Sequence, residues 1–341
     1  MPRVIPHQPP LMAQSNLAET LALPDLTLAH RFQDLDDFGQ AVLSQGLTLT
    51  QLETGPFLGH IVQVSLAGLR LIRLTTNRGL YTSGPKPKDA IIFCTCLHEP
   101  NQPLISHGQA LPSQALFGFD PNRENRLITP QGLELAMVIV PIARLDPYLQ
   151  TLERDDLDRR FFQRNALPIA GPHGSTLRAY LQQIFHLAQT NPALVQQAQA
   201  LIAGDLLPLL VNCFSAEVCP NLRIYPFRRS DLVQQAETYM RANLDQPLTL
   251  EAMCQALKTS KSALSYGFQE IFGLSPMAYL KAVRLNGVRR ALKASDPTQA
   301  TVLGIANRYG FWHMGHFSRD YRQMFGESPS ETLRGEEVRA R

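Results

Sequence analysis

An internal repeat near the C-terminus, within residues 248–333, constrains this sequence more than any other feature. Two imperfect copies of one pattern coincide when one is shifted by 53 positions: Leu264 falls on Phe317, Phe268 on Tyr321, Phe272-Gly273 on Phe325-Gly326, and Ser275-Pro276 on Ser328-Pro329. A repeat at a fixed spacing indicates that one small structural unit occurs twice. The fold must therefore hold two related units in this part of the chain.

The first copy is typical of a helix, a tight turn and a second helix. Its first helix is predicted to follow Thr249, which can cap it, and to bury one apolar face. The second helix begins near Ser260 and turns a four-residue ladder inward: Leu264, Phe268 and Phe272. The opposite face then exposes small polar side chains, Ser262, Ser265, Tyr266 and Gln269.

The second copy predicts the same arrangement with a more basic outer face. Its first helix is expected to bury Leu303, Ile305 and Ala306, and Gly310 supplies the turn. Its second helix turns Phe317, Tyr321 and Phe325 inward. The outer face carries His313, His316, Arg319 and Arg322. A small, polar and basic helix face is the kind of surface that enters a major groove. After this helix, Ser328-Pro329-Ser330-Glu331 predicts a capping box that begins a final helix.

A single helix is predicted to connect the two copies, over residues 277–293. Its charged side chains are all cationic: Lys281, Arg284, Arg289, Arg290 and Lys293. A rigid connector fixes the spacing of two recognition helices, which for neighbouring segments of one DNA face is about 34 Å. We expect this helix to set that spacing.

Residues 230–334 resemble the DNA-binding domain of AraC/XylS-type bacterial transcription regulators. The resemblance is carried by Ser275-Pro276, Tyr279-Leu280, Arg284-Leu285, Arg289, Leu292, Ile305-Ala306, Gly310-Phe311, Phe317-Ser318-Arg319, Phe325-Gly326 and Ser328-Pro329. With the stretches 310–317 and 328–333, the chain looks nearest to the ethanolamine-operon-regulator branch. Two positions depart from the family pattern. Lys258 stands where glycine is usual, and Gly267 interrupts the first recognition helix at a cost of about 0.5–1 kcal/mol, which predicts a less rigid first unit.

The resemblance implies a set of DNA-binding residues and partners. Base-reading positions are Ser262, Ser265 and Tyr266 in the first copy, and His313, Met314, Gly315, His316 and Arg319 in the second. Phosphate anchors are Lys261, Arg308 and Arg322. The expected partners are double-stranded DNA and RNA polymerase, with a small-molecule effector and a homodimer as further members of that set. A plain helical bundle with a chance repeat is the alternative, and it is disfavoured because so many positions agree with one fold.

Charge is distributed in the way that a nucleic-acid module fused to another domain predicts. The chain has 341 residues, enough for two domains, and a net charge of +3. From residue 228 onward there are 16 Lys and Arg against 11 Asp and Glu, whereas residues 1–227 carry 16 against 18. The basic part coincides with the repeat.

The N-terminal part predicts a β-rich domain over residues 26–150. Short apolar runs at residues 47–52, 59–66, 69–74, 91–97, 116–119 and 133–140 are each bounded by Gly, Pro or Asn. Many short strands with such turns indicate a cupin-like β-barrel or sandwich. Residues 1–25 are expected to be a disordered lead-in without a signal peptide. An acidic segment that begins at Asp34 is expected to form a short helix.

Two apolar helices are predicted after this domain, over residues 175–190 and 193–214, as a hairpin in a segment at 172–215. The hairpin can pack on the β-rich domain, and its second member is apolar enough to offer a dimer contact as well. Residues 216–229, with Pro220 and Pro226, are expected to form a linker to the DNA-binding domain at 230–336. The predicted fold class is therefore α+β, with an all-α C-terminal domain of two helix-turn-helix motifs.

One cluster raises the question of metal or redox sensing: Cys94, Cys96 and His98. Alternate residues of a strand point to the same side, so these groups can converge on a metal. The alternative is that both cysteines fill an apolar core, as free cysteines usually do. The sequence shows no phosphate loop, no Gly-x-Ser-x-Gly and no His-Glu-x-x-His, so neither a cofactor nor an enzyme activity is predicted.

These features together predict an effector-responsive, sequence-specific DNA-binding transcription regulator. Five cysteines in a chain without a recognisable signal indicate the cytoplasm, and no apolar run approaches the 18 residues of a membrane span. The competing class is a metal- or redox-binding cupin-like protein, or an enzyme, that uses its C-terminal domain for DNA targeting. A nonspecific architectural DNA binder is disfavoured because two different recognition helices imply two different base readouts. Activation and repression both stay open.

Overall fold

The structure is a computed structural model that describes residues 28–43, 46–169, 171–214 and 228–335. The predicted lead-in at 1–25 and nearly all of the predicted linker at 216–229 lie outside the described residues. The strands are β1 (Leu28–Phe32), β2 (Thr48–Gln51), β3 (Gly59–Leu66), β4 (Leu69–Thr76), β5 (Leu80–Gly84), β6 (Ala90–Cys96), β7 (Ile105–Ser106), β8 (Gln109–Ala110), β9 (Ala115–Phe117), β10 (Asn125–Thr129), β11 (Glu134–Pro141) and β12 (Ala166–Pro168).

Helices surround these strands and form the whole C-terminal part. They are α1 (Leu35–Leu43), α2 (Ile142–Thr151), α3 (Arg159–Phe162), α4 (Pro172–Thr190), α5 (Pro192–Gln197), α6 (Gln199–Asn212), α7 (Ser230–Ala242), α8 (Leu250–Ala256), α9 (Lys261–Phe272), α10 (Pro276–Lys293), α11 (Val302–Arg308), α12 (Met314–Phe325) and α13 (Pro329–Arg334). Within the described ranges, none of them combines the length and apolarity needed to cross a bilayer. We call residues 28–169 the two-sheet domain and residues 230–335 the helical domain.

The strands of the two-sheet domain form two antiparallel sheets. The larger sheet has the order β1-β3-β4-β11-β6-β9-β12 and the smaller sheet β2-β5-β10-β7-β8. The predicted α+β class is confirmed, in its sandwich form: the described strands make two separate sheets that face each other across a core. The apolar runs of the sequence correspond to β2, β3, β4, β6, β9 and β11. Strands β1, β5, β7, β8, β10 and β12 were missing from the prediction.

Alternation along the larger sheet explains why it is buried on both faces. Val64, Leu71 and Val138 belong to a core that also contains apolar side chains of α4 and α6. Ile72 and Met137, their neighbours in sequence, belong to the second core, which lies between the sheets and includes Leu49, Leu80 and Leu127 of the smaller sheet. The larger sheet therefore separates the helical hairpin from the cavity-bearing side of the domain.

The predicted helical hairpin is present, but its second member is broken. Instead of one helix over 193–214, α5 ends at Ala198 (φ −95°, ψ 7°), and α6 starts at the next residue. The side chain of Leu201 on α6 is 69% exposed, and that of Leu194 on α5 is 43% exposed. The kink at Ala198 turns this side of the hairpin toward solvent.

The helical domain contains the two predicted helix-turn-helix units. Helices α8 and α9 form the first unit, α11 and α12 form the second, and α10 connects them. The inward ladder of each recognition helix is buried as predicted, with Leu264, Phe268, Phe317 and Tyr321 at most 1% exposed. Thr249 caps α8, and Ser328 forms a capping box with Glu331 at α13, also as predicted.

One expectation about the units is wrong. Leu303 was expected in the core, yet it is 52% exposed on α11, whereas Ile305 and Ala306 of that helix are buried. The lower rigidity expected from Gly267 stays a prediction. Gly267 is buried, and a Cβ atom there would lie only 2.7 Å from Cγ2 of Val233 on α7. Glycine therefore permits close packing of α7 on α9.

Candidate functional site

The first recognition helix, α9, presents a small polar face to solvent. The hydroxyl of Ser260 accepts from the backbone N–H of Ala263 and caps the helix, and Gly273 ends it with a positive φ of 66°. The predicted base-reading positions lie opposite the buried ladder. Ser262 and Tyr266 are exposed, and Ser265 is half-buried. Arg229 stacks its guanidinium over the Tyr266 ring, 5.7 Å from the centroid.

The second recognition helix, α12, presents a more basic face. His313, Gly315, His316 and Arg319 are exposed, and Met314 is half-buried against the core of the second unit. An Arg319 guanidinium nitrogen lies 2.8 Å from Nδ1 of His316, one turn earlier. The face of α12 therefore holds an imidazole and a guanidinium side by side, whereas the face of α9 carries hydroxyl groups. Both kinds of group can bond to base edges.

The three predicted phosphate anchors differ in their surroundings. Arg308 in the last turn of α11 and Arg322 in the last turn of α12 are both exposed. Lys261 at the start of α9 is exposed as well, but its ammonium donates to the carboxylate of Glu251 on α8. An exposed ion pair of this kind contributes little to stability, so it can open when a phosphate approaches.

Three cations of the connector α10, Arg289, Arg290 and Lys293, contact the two-sheet domain. Arg289 donates to Asp34 (2.6 Å) and to Glu327 (2.9 Å), and Lys293 lies 2.6 Å from Asp34. Burial raises the pKa of Asp34, but Arg289 and Lys293 lower it more, and the result is about 2. The acidic segment before α1 is therefore an ionised docking group for the basic connector helix.

Hydrogen bonds between buried groups continue this contact. Asn286 of α10 accepts from the Gln51 N–H (3.0 Å) and donates to the Gln51 carbonyl (3.1 Å). The side-chain amide of Gln51 and the N–H of Gly55 each donate to the carbonyl of Met324, near the end of α12, at 3.0 Å. Strand β2 is thus bonded to the connector and to the second unit at once.

The first unit is held by a different strand of the same sheet. Tyr81 of β5 donates its hydroxyl to Glu237 of α7 (3.0 Å), which also accepts from Tyr279 (2.9 Å) and from Arg241 (3.0 Å). The Tyr81 ring meets the Phe272 ring edge-on, with centroids 5.4 Å apart. Burial and the Glu237 carboxylate raise the pKa of Tyr81 well above its usual value, so its hydroxyl stays a donor.

A cavity of about 60 Å³ lies on the other face of the smaller sheet. Its walls are apolar and come from α1 and both sheets, among them Phe38, Leu49, Leu80, Ile92 and Leu127. Its polar lining includes Lys86, Ser106, His107 and Asn165. Because side chains alternate along a strand, the residues beside these leucines face the helical domain.

Comparison with known proteins identifies the helical domain. A family model described as a helix-turn-helix domain matches residues 253–335. A structure of a probable AraC family transcriptional regulator from Rhodopseudomonas palustris is 42% identical, covers 31% of this chain and 96% of that chain, and has a TM-score of 0.29. The C-terminal domain is an AraC-type DNA-binding domain.

Two further relatives are transcription regulators by name. The probable thc operon regulatory protein of Rhodococcus erythropolis is 41% identical over 103 residues, 30% of this chain and 31% of that protein. The XylDLEGF operon transcriptional activator of Pseudomonas putida is 27% identical over 146 residues, 43% of each chain. The match thus spans less than half the length of each of these relatives.

Cys94 and Cys96 fill an apolar core, which is the second of the two possibilities that the sequence left open, and His98 does not converge with them. Both cysteines are buried in the core between the sheets, and burial raises the pKa of Cys94 to about 12. Strand β6 ends at Cys96, so His98 leaves the strand direction and is 67% exposed on its side chain, 2.6 Å from Glu134. Within the described ranges, no group of His, Cys, Asp and Glu side chains has the arrangement of a metal site.

Sequence reasoning missed the residues that join the AraC-type domain to the two-sheet domain, notably Asp34, Gln51, Tyr81 and Asn286. A signal for the first was present. The segment 34–37 carries three aspartates, and α10 carries only cations, so the two are complementary in charge. Asn286 in the buried part of α10 is a second signal, since a buried amide needs hydrogen-bond partners.

Proposed function

We propose that this chain is a sequence-specific transcription regulator that binds double-stranded DNA and responds to a small molecule. The observation that carries the proposal is the pair of exposed polar recognition faces on an AraC-type domain, α9 and α12. RNA polymerase is the further partner that transcription regulation requires. On this proposal the protein acts in the cytoplasm and is not an enzyme. Its working parts are the regions 26–150, 172–215 and 230–336, with 216–229 as the linker.

The base-reading role is assigned to the exposed face of each recognition helix. Arg319 is the principal reader, because a guanidinium can bond guanine O6 and N7 together. His313, Met314, Gly315 and His316 share its face. In the first unit Ser262, Ser265 and Tyr266 take this role. Lys261, Arg308 and Arg322 take the phosphate role, because they stand at helix ends beside these faces.

The sensing role is assigned to the two-sheet domain because its smaller sheet has the cavity on one face and the AraC-type domain on the other. Along β5, Leu80 and Thr82 line the cavity, while Tyr81 between them contacts Phe272 and Glu237. An occupant of the cavity therefore acts on strands that hold both helix-turn-helix units. It can shift the regulator only by its differential affinity for two arrangements, typically about 1–3 kcal/mol.

A homodimer is the proposed oligomer, and the exposed side of the hairpin supports it. Leu194 and Leu201 are large apolar side chains that stand in solvent on α5 and α6. Burying both in a symmetric contact would remove apolar area from water at about 25 cal/mol per Å². Light scattering of wild-type protein and of a Leu201→Glu variant tests this. A dimeric mass for both proteins would argue against the contact.

The test of the regulator itself is to map the genomic sites that the protein occupies and to footprint one of them with purified protein. We expect protection of two adjacent major-groove segments on one face of the duplex, with a shortened footprint for Arg319→Ala. Arg308→Gln is a matched variant that should weaken binding to all sequences alike. Equal affinity for the mapped site and for scrambled DNA would refute sequence-specific regulation.

The coupling through the smaller sheet has its own test. Asn286→Ala removes both hydrogen bonds to the Gln51 backbone and leaves the recognition faces unchanged. We expect operator affinity close to wild type in this variant, but a changed transcriptional response at the mapped promoter. A response identical to wild type under every growth condition that alters the intact protein's output would exclude the coupling.

A further inference from the structure

The cavity of the two-sheet domain has one polar end, and Lys86 dominates it. Its ammonium donates three hydrogen bonds, to the Gly118 carbonyl (2.9 Å), the Asp120 carbonyl (3.0 Å) and the Asn165 side-chain oxygen (3.0 Å). Lys86 is only 8% exposed. All three acceptors are neutral oxygens, so they satisfy the donors but leave the positive charge without a bonded counter-ion.

No ion pair offsets this charge within the part of the chain that the structure describes. Among the described residues, no carboxylate lies within ion-pair distance of the Lys86 ammonium, although the Asp120 carboxylate is near enough to favour the charged form. Burial and Arg123 lower the pKa of Lys86, Cys94 and Asp120 oppose them, and the result is about 8. The Lys86 side chain is thus still largely protonated at neutral pH. An anionic ligand beside it would neutralise its charge.

The other ionisable group at this end does not supply a negative charge. His107 lines the cavity, and its Nε2 lies 2.8 Å from the Glu124 carbonyl. Burial, Arg123, Lys86 and Arg126 hold the pKa of His107 at about 4, against the opposing effect of Glu124, so the imidazole is neutral near pH 7. The remaining wall of the cavity is apolar. A buried charge is costly unless it is paired, and the pairing has to come from the occupant.

We propose that this cavity binds a small amphipathic acid, with the anionic head beside Lys86 and the apolar body against Leu49, Leu80 and Leu127. The inference rests on the proposed sensing function and names the ligand class for it. The acid neutralises the Lys86 ammonium, and its body touches the strands whose alternate residues hold the AraC-type domain. Neutral apolar molecules lack the first contact, and small inorganic anions lack the second.

The probes are two matched pairs: hexanoate with hexanamide, and cyclohexanecarboxylate with cyclohexanecarboxamide. Binding to the full-length protein is measured by calorimetry and by the shift in melting temperature at pH 7. We expect at least one acid to bind about tenfold or more tightly than its amide, since the two differ chiefly in head charge. Equal binding of acid and amide, or no binding of either acid at millimolar concentration, would overturn the proposal.

Asn165→Asp tests the role of Lys86 while preserving the fold. The new carboxylate keeps the oxygen that accepts from Lys86 and from the Asp120 N–H, and it adds an internal counter-ion. Asn165 has a φ of 60°, which Asp tolerates nearly as well as Asn. We expect acid binding to fall about tenfold or more, with amide binding unchanged. Unchanged acid binding would mean that Lys86 only stabilises the fold through its three hydrogen bonds and does not bind the acid.

Lys86→Met is the second variant, and it removes the charge while keeping the length of the side chain. It should lose the preference for acid over amide, and a retained preference contradicts the assignment. Operator affinity without ligand is measured in parallel on both variants. Wild-type operator affinity with no acid binding refutes the ligand class alone. If the wild-type protein itself does not bind DNA sequence-specifically, the proposed function as a transcription regulator is refuted instead.

Discussion

The two helix-turn-helix units share one repeated pattern, and they differ in what lies outside the shared core. Both recognition helices end in a glycine with positive φ, Gly273 at 66° and Gly326 at 79°. Both are followed by a Ser-Pro pair that begins the next helix, Ser275-Pro276 and Ser328-Pro329. The repeat therefore specifies the inside of each unit. It does not specify the outer faces or the contacts behind them.

The outer faces differ at positions that the repeat makes equivalent. Tyr266 of the first unit corresponds to Arg319 of the second, and Gln269 corresponds to Arg322. The back surfaces differ as well. The first unit meets the two-sheet domain through the side chains of Phe272 and α7, and the second largely through a backbone carbonyl at Met324. Both units therefore contact the two-sheet domain, and we expect the more basic outer face of the second unit to contribute more to DNA affinity.

The largest expected difference concerns the helix that closes each unit. Leu280 of α10 closes the first unit and is 1% exposed, whereas its repeat-equivalent Leu333 of α13 is only partly buried. Leu280→Ala should cost about 2–5 kcal/mol of unfolding free energy, and Leu333→Ala about 1 kcal/mol. Chemical denaturation of the two variants measures both. A larger loss for Leu333→Ala, or a loss of DNA binding by that variant with unchanged stability, would reverse the assignment.

Base reading is the next contrast. Arg319→Ala should weaken operator binding by about 1–3 kcal/mol and relax one base position, because it removes a bidentate guanine contact. Tyr266→Ala, at the equivalent position of the first unit, should cost less. Fluorescence anisotropy with an operator and with single-base variants of it gives both values. Equal losses at the two positions would show that the units contribute alike.

Docking of the second unit depends on the Asp34–Arg289–Glu327 chain, and it should depend on pH. The pKa of Asp34 is about 2 in the folded protein, against 3.8 for a carboxyl group without these contacts. The ionised carboxylate therefore stabilises the folded protein fully above about pH 5, and this stabilisation is lost as the pH falls through 2. Asp34→Asn should therefore cost about 2 kcal/mol at pH 7 and almost nothing at pH 2. Urea denaturation at several pH values measures this. If the difference in unfolding free energy between wild type and Asp34→Asn is the same at pH 7 and pH 3, the ionised Asp34 carboxylate does not stabilise the docked arrangement.

Changing single phosphate contacts should have the smallest effect on DNA binding. It also tests whether the two units approach the duplex in the same way. Arg322→Gln should reduce the salt dependence of DNA binding by about one unit of slope. The converse change, Gln269→Arg, introduces at the first unit the side chain that the second unit already has. If both units approach the duplex alike, Gln269→Arg should raise the slope by about one unit. An unchanged slope would mean that the first unit lies farther from the phosphates.

The sequence predicted the features that depend on residues close together in the chain. The repeat, the caps at Thr249 and Ser328 and the ladder from Phe317 to Phe325 depend on neighbours three or four residues apart, and all of them were predicted. Strands β3, β4, β6 and β11 were found because each is a continuous or alternating apolar run. Strands β5 and β10 were missed because polar residues such as Thr82 and Arg126 interrupt them.

By itself the sequence determined that two helix-turn-helix units follow a β-rich domain, because helix and strand periods are local properties of the chain. Only the tertiary structure decided what the cations of α10 do. In the sequence Arg289 and Lys293 were only cations of a rigid connector, whereas in the structure they pair with Asp34, more than 200 residues earlier. The same holds for Gln51 with Asn286 and for Tyr81 with Glu237. Such pairs depend on which surfaces the packed cores bring together, and no local pattern encodes that choice.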